Sequence, residues 1–251
     1  MNSRFLSNFI FFFLLVVMSN SIYSFFFTDF FQKNNSYRNS SVISNISSDE
    51  QYITSDNTVW DVSWCDYDDD CHSGRTSVKD NDVYLSGFNR IKKWKTFDSW
   101  LEFYYEIHKH DKGKLEGVHD MFRKIHSNYN SLTYKQFSDI VVSFVQSIKY
   151  AIPENEGGLF TPVEFMTHYY GDCDTRTLFL YSILKYWGVE VVILGSDLYA
   201  HSMLGVNLPS SGKYKNYLGK RYYFWETTSE GWELGNLSPD FSDTRYWSVE
   251  L

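Results

Sequence analysis

Basic residues are in the minority in this chain, which has 23 Lys and Arg side chains against 31 Asp and Glu. The formal net charge is −8 at pH 7, and no stretch of Lys and Arg reverses that balance locally. Nonspecific binding to nucleic acid depends on a basic surface, so this composition argues against that class of function. We therefore expect no nucleic-acid partner.

Cysteine is also scarce, with three residues in the whole chain. Cys65 and Cys71 lie close together around an acidic run, and in an oxidising compartment they are natural disulfide partners. Cys173 is then left over, and an unpaired thiol in an exported protein calls for an explanation. Catalysis would supply one.

Metal-ligand patterns are missing as well. Cys173 and His201 could share a metal ion, but a second clustered pair of ligands is lacking. The histidines of the central region have no spacing that brings them to one point, and we interpret them as structural: His108, His110, His119 and His126. Asp68, Asp69 and Asp70 could bind calcium, but a solvated acidic loop is the better interpretation because the spaced ligands of a calcium loop are missing. We expect neither a metal nor another cofactor.

Long apolar runs are confined to the N-terminus. Residues 9–18 form an unbroken apolar stretch after Arg4, which is typical of a signal peptide. Phenylalanines resume at 25–27 and 30–31, so an uncleaved membrane anchor is the alternative. We interpret residues 1–31 as one or the other. Both interpretations place the rest of the chain outside the cytoplasm, secreted, periplasmic or tethered to a membrane.

The composition changes after this segment. Residues 32–58 are rich in Asn, Ser and Thr and poor in large apolar side chains, which predicts a flexible linker. We predict a single folded domain over residues 59–251. Its first part, from Trp60 to Tyr84, is predicted to be irregular.

Periodic patterns predict helices followed by strands. Apolar residues repeat at helical spacing over residues 98–108, 115–129 and 133–148, with Thr133 as an N-cap, so the helical lead-in covers about 90–150. A further apolar helix follows Cys173 and ends at Gly188. Strands are predicted over 189–194, 199–206 and 220–228. Helices first and strands afterwards indicate an α+β fold.

Three residues in the second half form a candidate catalytic set. Cys173 is placed at a helix start, His201 on a strand, and Glu226 on the next strand. A thiol nucleophile needs a base and a group that orients the base, and these residues supply all three roles. Taken singly, each has a plainer interpretation: a buried cysteine, a core histidine and an exposed glutamate. Their order and placement together favour catalysis.

The environment of Cys173 contains opposing effects. The positive end of the helix dipole is expected to lower the pKa of its thiol. Asp172 and Asp174 oppose this, so a neighbouring imidazolium would have to outweigh them. The backbone N–H of Cys173 is one candidate for stabilising an oxyanion. Gln146, Tyr150 and Tyr170 are candidates for a second donor.

The second half of the chain resembles the transglutaminase-like superfamily. The resemblance covers about residues 144–235. Its motifs are Tyr170 to Asp174, the VEVVIL strand, Ala200 to Val206, and Tyr222 to Thr228 followed by Gly231 and Leu234-Gly235. It implies a papain-like fold, in which the Cys-bearing helix packs on an antiparallel sheet. It also implies Cys173 as nucleophile, His201 as base and Glu226 as third member, where the family commonly has Asp.

This resemblance implies a cysteine enzyme that acts on amide bonds of a protein or peptide substrate through a thioester. We favour hydrolysis, as in a protease or amidase, over cross-linking, because water is always present and no site for an acyl acceptor is visible. The alternative is a non-catalytic binding or scaffold module with the same fold.

Overall fold

The computed structural model describes residues 57–96 and 98–251. The predicted signal or anchor segment, the linker up to residue 56 and the side chain of Phe97 lie outside the described residues. Within the described ranges, no helix combines the length and the apolar character needed to cross a bilayer.

The domain begins with a β-hairpin. Strands β1 (Asn57–Cys65) and β2 (Cys71–Lys79) pair antiparallel, with Cys65 opposite Cys71. The predicted irregular region from Trp60 to Tyr84 is therefore wrong, and the last two residues of the predicted linker already belong to β1. Alternating side chains explain the hairpin, because Val62, Trp64 and Val78 point into the core while their neighbours face solvent.

The predicted disulfide between Cys65 and Cys71 is confirmed. It closes a tight acidic turn, in which Asp66 Oδ1 accepts hydrogen bonds from the backbone N–H groups of Asp68 and Asp70. The other carboxylate oxygen of Asp66 lies 2.9 Å from His72 Nε2. The acidic side chain of Asp66 thus stabilises the turn itself.

Six α-helices follow within the described residues. They are α1 (Asp80–Trp94), α2 (Trp100–Asp111), α3 (Glu116–Ser127), α4 (Tyr134–Ser147), α5 (Pro162–His168) and α6 (Cys173–Tyr186). Helix α1 begins about ten residues before the predicted lead-in, with Asp80 and Asp82 favouring its N-terminal turn. The predicted cap of α4 is confirmed, since Thr133 and Gln136 form a reciprocal capping box.

Helix α6 is the central helix of the domain. Of its first twelve residues, from Cys173 to Leu184, only Asp174 is not buried. A helix that is apolar on nearly every side must be surrounded by other elements. Accordingly α6 packs against α4, α5 and the main sheet. Gly188 follows it with a positive φ of 79°, in the left-handed conformation common after helix ends.

The main sheet has five strands in the order β7-β8-β6-β5-β9, and all its pairs are antiparallel. The strands are β5 (Val191–Ser196), β6 (His201–Val206), β7 (Tyr214–Tyr217), β8 (Lys220–Trp225) and β9 (Ser248–Val249). Two short strands, β3 (Lys149–Tyr150) and β4 (Tyr170–Gly171), pair in parallel just before α6. The mixed α+β class with an antiparallel sheet is confirmed.

Both faces of the main sheet are covered. One face contributes Ile193, Leu204 and Trp225 to the large core shared with the helices. The other contributes Leu194 and Met203, among others, to a smaller core that includes Trp247 and Phe241 from the C-terminal segment. That segment contains two 3₁₀ turns and ends as β9 beside β5.

Candidate active site

Cys173 is the first residue of α6, as predicted. Asp172 is the N-cap and its Oδ1 accepts a hydrogen bond of 3.0 Å from the backbone N–H of Thr175. Gly171 stands where a side chain would not fit, because a Cβ there would lie 2.5 Å from Thr175 Cγ2 and 3.1 Å from Phe165 Cδ2. The Gly-Asp-Cys sequence therefore combines close packing, a helix cap and a thiol at the helix start.

His201 and Glu226 lie together. His201 opens β6, and its Nε2 is 2.9 Å from Glu226 Oε2. Glu226 follows the end of β8 rather than lying inside a strand, which corrects the predicted strand over 220–228. The glutamate side chain is long enough to reach the imidazole from this position after the strand. This contact leaves Nδ1 as the ring nitrogen available to the Cys173 thiol, and the imidazole and the thiol shift each other's pKa.

The second carboxylate oxygen of Glu226 is fully engaged. Its Oε1 accepts hydrogen bonds from the backbone N–H groups of Thr227 and Thr228, each at 2.9 Å, and from the Thr228 hydroxyl at 2.7 Å. The turn after β8 exists because these amides fold back on the side chain. As a result only Oε2 faces His201, which fixes the orientation of the imidazole.

The pKa values of Glu226 and His201 are both shifted away from their usual ranges. Burial would by itself raise the pKa of Glu226, but His201 and Thr228 lower it to about 2. Burial would likewise lower the pKa of His201, but Glu226 and the Cys173 thiol raise it well above its usual range. The imidazole is therefore held in the cationic form beside an ionised carboxylate.

The expected lowering of the Cys173 pKa is not found. Burial raises the pKa of this thiol, and the negative charge of Asp174 raises it further, while His201 opposes both. The helix start and the imidazole do not outweigh burial and the flanking carboxylates. Burial and Asp174 similarly raise the pKa of Asp172 to about 6. In the resting site the thiol keeps its proton near neutral pH.

Removing one of these charges should activate the thiol. Asp174→Asn is expected to lower the pKa of Cys173, because a neutral amide no longer repels the thiolate. Alkylation of Cys173 by iodoacetamide should then be several-fold faster at pH 7, and its pH profile should move to lower pH. The asparagine oxygen can still accept the hydrogen bond that Tyr104 donates to Asp174 Oδ1.

The exposed Asp240→Asn exchange serves as the matched control, since it removes the same charge from the C-terminal segment. Its alkylation profile should coincide with that of the wild type. A profile of Asp174→Asn that also coincides with the wild type would contradict the assignment of Asp174 as the residue that raises the thiol pKa.

All three side chains are largely shielded from solvent. Cys173 is 8 % exposed, and the side chains of His201 and Glu226 are 10 % and 7 % exposed. The C-terminal segment contributes to the cover, because the ring centres of Phe241 and Trp247 lie 5.2 Å and 6.0 Å from that of His201. The thiol does not lie open at the surface of a cleft.

Arg176 is a site residue that the sequence reasoning missed. Its buried guanidinium donates hydrogen bonds to the backbone carbonyls of Gly171, Val145, Thr227 and Ile148. These join the Cys-bearing helix to the end of α4 and to the residue after Glu226. The sequence feature that could have indicated this role is a lone Arg, three positions after the cysteine, in a helix with a broad apolar face. Burial lowers its pKa to about 10, so it remains cationic at neutral pH.

The three candidates for the second oxyanion donor differ in their burial and in their contacts. Gln146 is buried and uses both amide hydrogens, on the carbonyls of Glu226 at 2.7 Å and Trp232 at 3.0 Å. Tyr170 packs its ring against Phe160. Tyr150 lies in β3 opposite Gly171, is 42 % exposed, and has its ring 5.5 Å from the Arg176 guanidinium. Burial raises the pKa of Tyr150, and negative charge on Cys173 raises it further.

Two of the histidines interpreted as structural make packing or hydrogen-bond contacts away from the candidate site. His108 Nδ1 lies 3.0 Å from the Ser182 hydroxyl, and the rings of His119 and Tyr186 stack. Asp172, Cys173 and Asp174 offer ligand atoms within 4.8 Å of one another. Both of these carboxylates already accept hydrogen bonds, so we assign them to capping the helix and setting the thiol pKa.

Comparison of the chain with protein-family models, curated proteins and solved structures finds no match.

Proposed function

We propose that this protein is a cysteine enzyme of the transglutaminase-like, papain-like type, acting on amide bonds of proteins or peptides. One observation carries the proposal: the His201 imidazole lies 2.9 Å from the Glu226 carboxylate and close enough to the Cys173 thiol for each to shift the other's pKa. The Cys-bearing helix packed on an antiparallel sheet supports it further. These are the contacts that a thiol nucleophile, its base and the orienting carboxylate require.

The chemistry follows from these roles. His201 in its neutral form accepts the Cys173 thiol proton, the thiolate attacks the amide carbonyl carbon, the C–N bond breaks, and the leaving amine takes that proton from the His201 imidazolium. Water then attacks the thioester, His201 accepts the proton of the water, and the acid and the thiol are released. The Cys173 backbone N–H and the Tyr150 hydroxyl are the proposed donors to the oxyanion. Transfer to an amine would use the same thioester, and we favour hydrolysis.

An exported location fits this chemistry. The Cys65–Cys71 disulfide is typical of an oxidising compartment, and the apolar residues 9–18 are typical of a signal peptide. Retention of the N-terminal segment would tether the enzyme to a membrane.

A second candidate function has its own support. Cys173 is 8 % exposed, as expected for a structural cysteine, and this favours a non-catalytic module that keeps the fold. Under the enzyme hypothesis the cover over the site must open for substrate. Under the module hypothesis no opening is needed and the thiol is inert.

An activated ester separates the two functions without knowledge of the natural substrate. Mixing the purified full-length chain with p-nitrophenyl acetate should release a burst of p-nitrophenol equal to the enzyme concentration, with the acetyl group on Cys173 by mass spectrometry. Cys173→Ala and His201→Ala should abolish the burst, whereas His108→Ala should keep it. A wild-type chain that forms no acetyl-Cys173, or forms it equally fast without His201, would refute the enzyme.

A further inference from the structure

The loop closed by the disulfide contacts residues that surround Glu226 of the candidate site. This disulfide loop (residues 65–71) carries Tyr67. The Tyr67 hydroxyl accepts a hydrogen bond of 3.2 Å from the indole N–H of Trp225, which lies 158 residues further along the chain. We propose that Tyr67 and Gln146 are positioning residues, which hold Glu226 and through it the His201 imidazole. The inference rests on the proposed function and deepens it.

The hydrogen bonds form a closed network behind Glu226. The Tyr67 oxygen lies 3.1 Å from Gln146 Oε1 and 2.9 Å from the Trp232 carbonyl oxygen. Gln146 Nε2 donates to the Glu226 carbonyl at 2.7 Å and to the Trp232 carbonyl at 3.0 Å. The Trp225 indole N–H donates to the Trp232 carbonyl as well, at 3.0 Å.

The single proton of the Tyr67 hydroxyl can be assigned. The Trp232 carbonyl already accepts from two N–H donors, Trp225 Nε1 and Gln146 Nε2. Gln146 Oε1 needs a donor, and Tyr67 supplies it at 3.1 Å. A hydroxyl has only one proton to donate, so we assign the proton to Gln146. This bond selects the amide orientation of Gln146 in which the NH₂ group points at Glu226.

Glu226 is therefore held from two sides. Its carboxylate is fixed by Thr227 and Thr228 in front, and its own carbonyl is fixed by Gln146 behind. If Gln146 rotated its amide, an oxygen would face the Glu226 carbonyl, and the main chain at Glu226 would move away. The carboxylate would then lose its 2.9 Å contact with His201 Nε2.

The disulfide loop makes this support rigid. Cys65 and Cys71 join its ends, and Asp66 binds the backbone N–H groups of Asp68 and Asp70 within it. Tyr67 is thus presented from a closed turn instead of a free loop. A buried hydroxyl on a rigid loop fixes a partner with little loss of side-chain entropy.

The substitution Tyr67→Phe tests the inference, because it removes the hydroxyl and keeps the ring. We expect acylation of Cys173 by p-nitrophenyl acetate to slow by about tenfold at saturating ester, the size of one ordinary hydrogen bond. The ester concentration giving half-maximal rate should stay unchanged. The Nε2–H proton of His201, followed by NMR, should exchange faster with solvent and titrate at lower pH than in the wild type.

Tyr129→Phe is the matched control. Tyr129 also contacts the hairpin, with its hydroxyl 3.4 Å from His72 Nδ1, but that contact leads to the turn and not to Glu226. Gln146→Met is the second variant, which keeps the length of the side chain and removes both amide donors. It should change the same readouts in the same direction, and by at least as much.

The outcomes distinguish this inference from the proposed function. If the wild type acylates at Cys173 and both Tyr67→Phe and Gln146→Met leave the rate and the His201 NMR signal unchanged, the positioning role is wrong and the enzyme stands. If the wild type does not acylate, the enzyme fails, and the NMR signal of His201 still decides the positioning. An equal change in Tyr129→Phe would also overturn the inference.

Discussion

Glutamine in place of Glu226 is expected to slow acylation of Cys173 by about 10⁴-fold, the loss in kcat when the orienting Asp of a serine-protease triad becomes Asn. The contacts of Glu226 dictate which way the glutamine amide must point. Oε1 accepts three hydrogen bonds from Thr227 and Thr228, so the amide oxygen must occupy its place. The NH₂ group then faces His201 Nε2.

That orientation selects the wrong tautomer of the imidazole. Facing a donor, Nε2 must become an acceptor, and the ring proton moves to Nδ1, the nitrogen left for the Cys173 thiol. An imidazole in this form cannot take the thiol proton. The acylation rate should fall at every pH, and the burst amplitude should remain one per enzyme if the measurement runs long enough.

Glu233→Gln is the matched control for this measurement. Glu233 is exposed, lies seven residues further along the same loop and carries the same charge. Its exchange should leave the acylation rate unchanged. A rate for Glu226→Gln within a factor of about three of the wild type would mean that the carboxylate does not orient the base, and the triad would reduce to Cys173 and His201.

Loss of the buried guanidinium is expected to destabilise the fold more than any other single change described above. Arg176→Met should lower the free energy of unfolding by about 3–5 kcal/mol, because four buried carbonyls lose a charged donor. For a domain of this size the melting temperature should fall by roughly 6–20 °C. Thermal unfolding followed by circular dichroism measures the change.

Arg75→Met is the control for Arg176. Arg75 pairs with Asp61 on the exposed face of the hairpin, and its exchange should leave the melting temperature unchanged. Arg176→Lys should recover only part of the loss, since one ammonium cannot reach carbonyls on both α4 and the turn after β8. A melting temperature for Arg176→Met equal to that of Arg75→Met would show that water replaces the guanidinium without cost.

The raised pKa of Cys173 has a direct consequence for the proposed catalysis. A site that holds a proton on both Cys173 and His201 at rest reacts only after one of these protons leaves, which gives a thiolate beside the imidazolium. Since burial is the main cause of the shift, opening the cover that includes Phe241 would lower the thiol pKa at the same time as it admits substrate. Entry of the substrate and activation of the Cys173 thiol would then occur together.

Local sequence patterns were sufficient for much of the fold. The helix that begins at Cys173 could be predicted from Gly171 and Asp172, and the N-cap of α4 from Thr133, because caps depend on a few neighbouring residues. The hairpin at the start of the domain was missed. Its alternating Val62 and Trp64 were outweighed by the acidic residues, which occupy only the turn.

The sequence alone determined the order of Cys173, His201 and Glu226, the helix start at the thiol and the pairing of Cys65 with Cys71. Each of these depends on residues close in the chain or on simple order along it. Tertiary structure decided the 2.9 Å contact between His201 and Glu226, the burial that raises the thiol pKa, and the supporting roles of Arg176 and Gln146. Those properties arise from groups that are far apart in sequence and meet only when the helices and the sheet pack together.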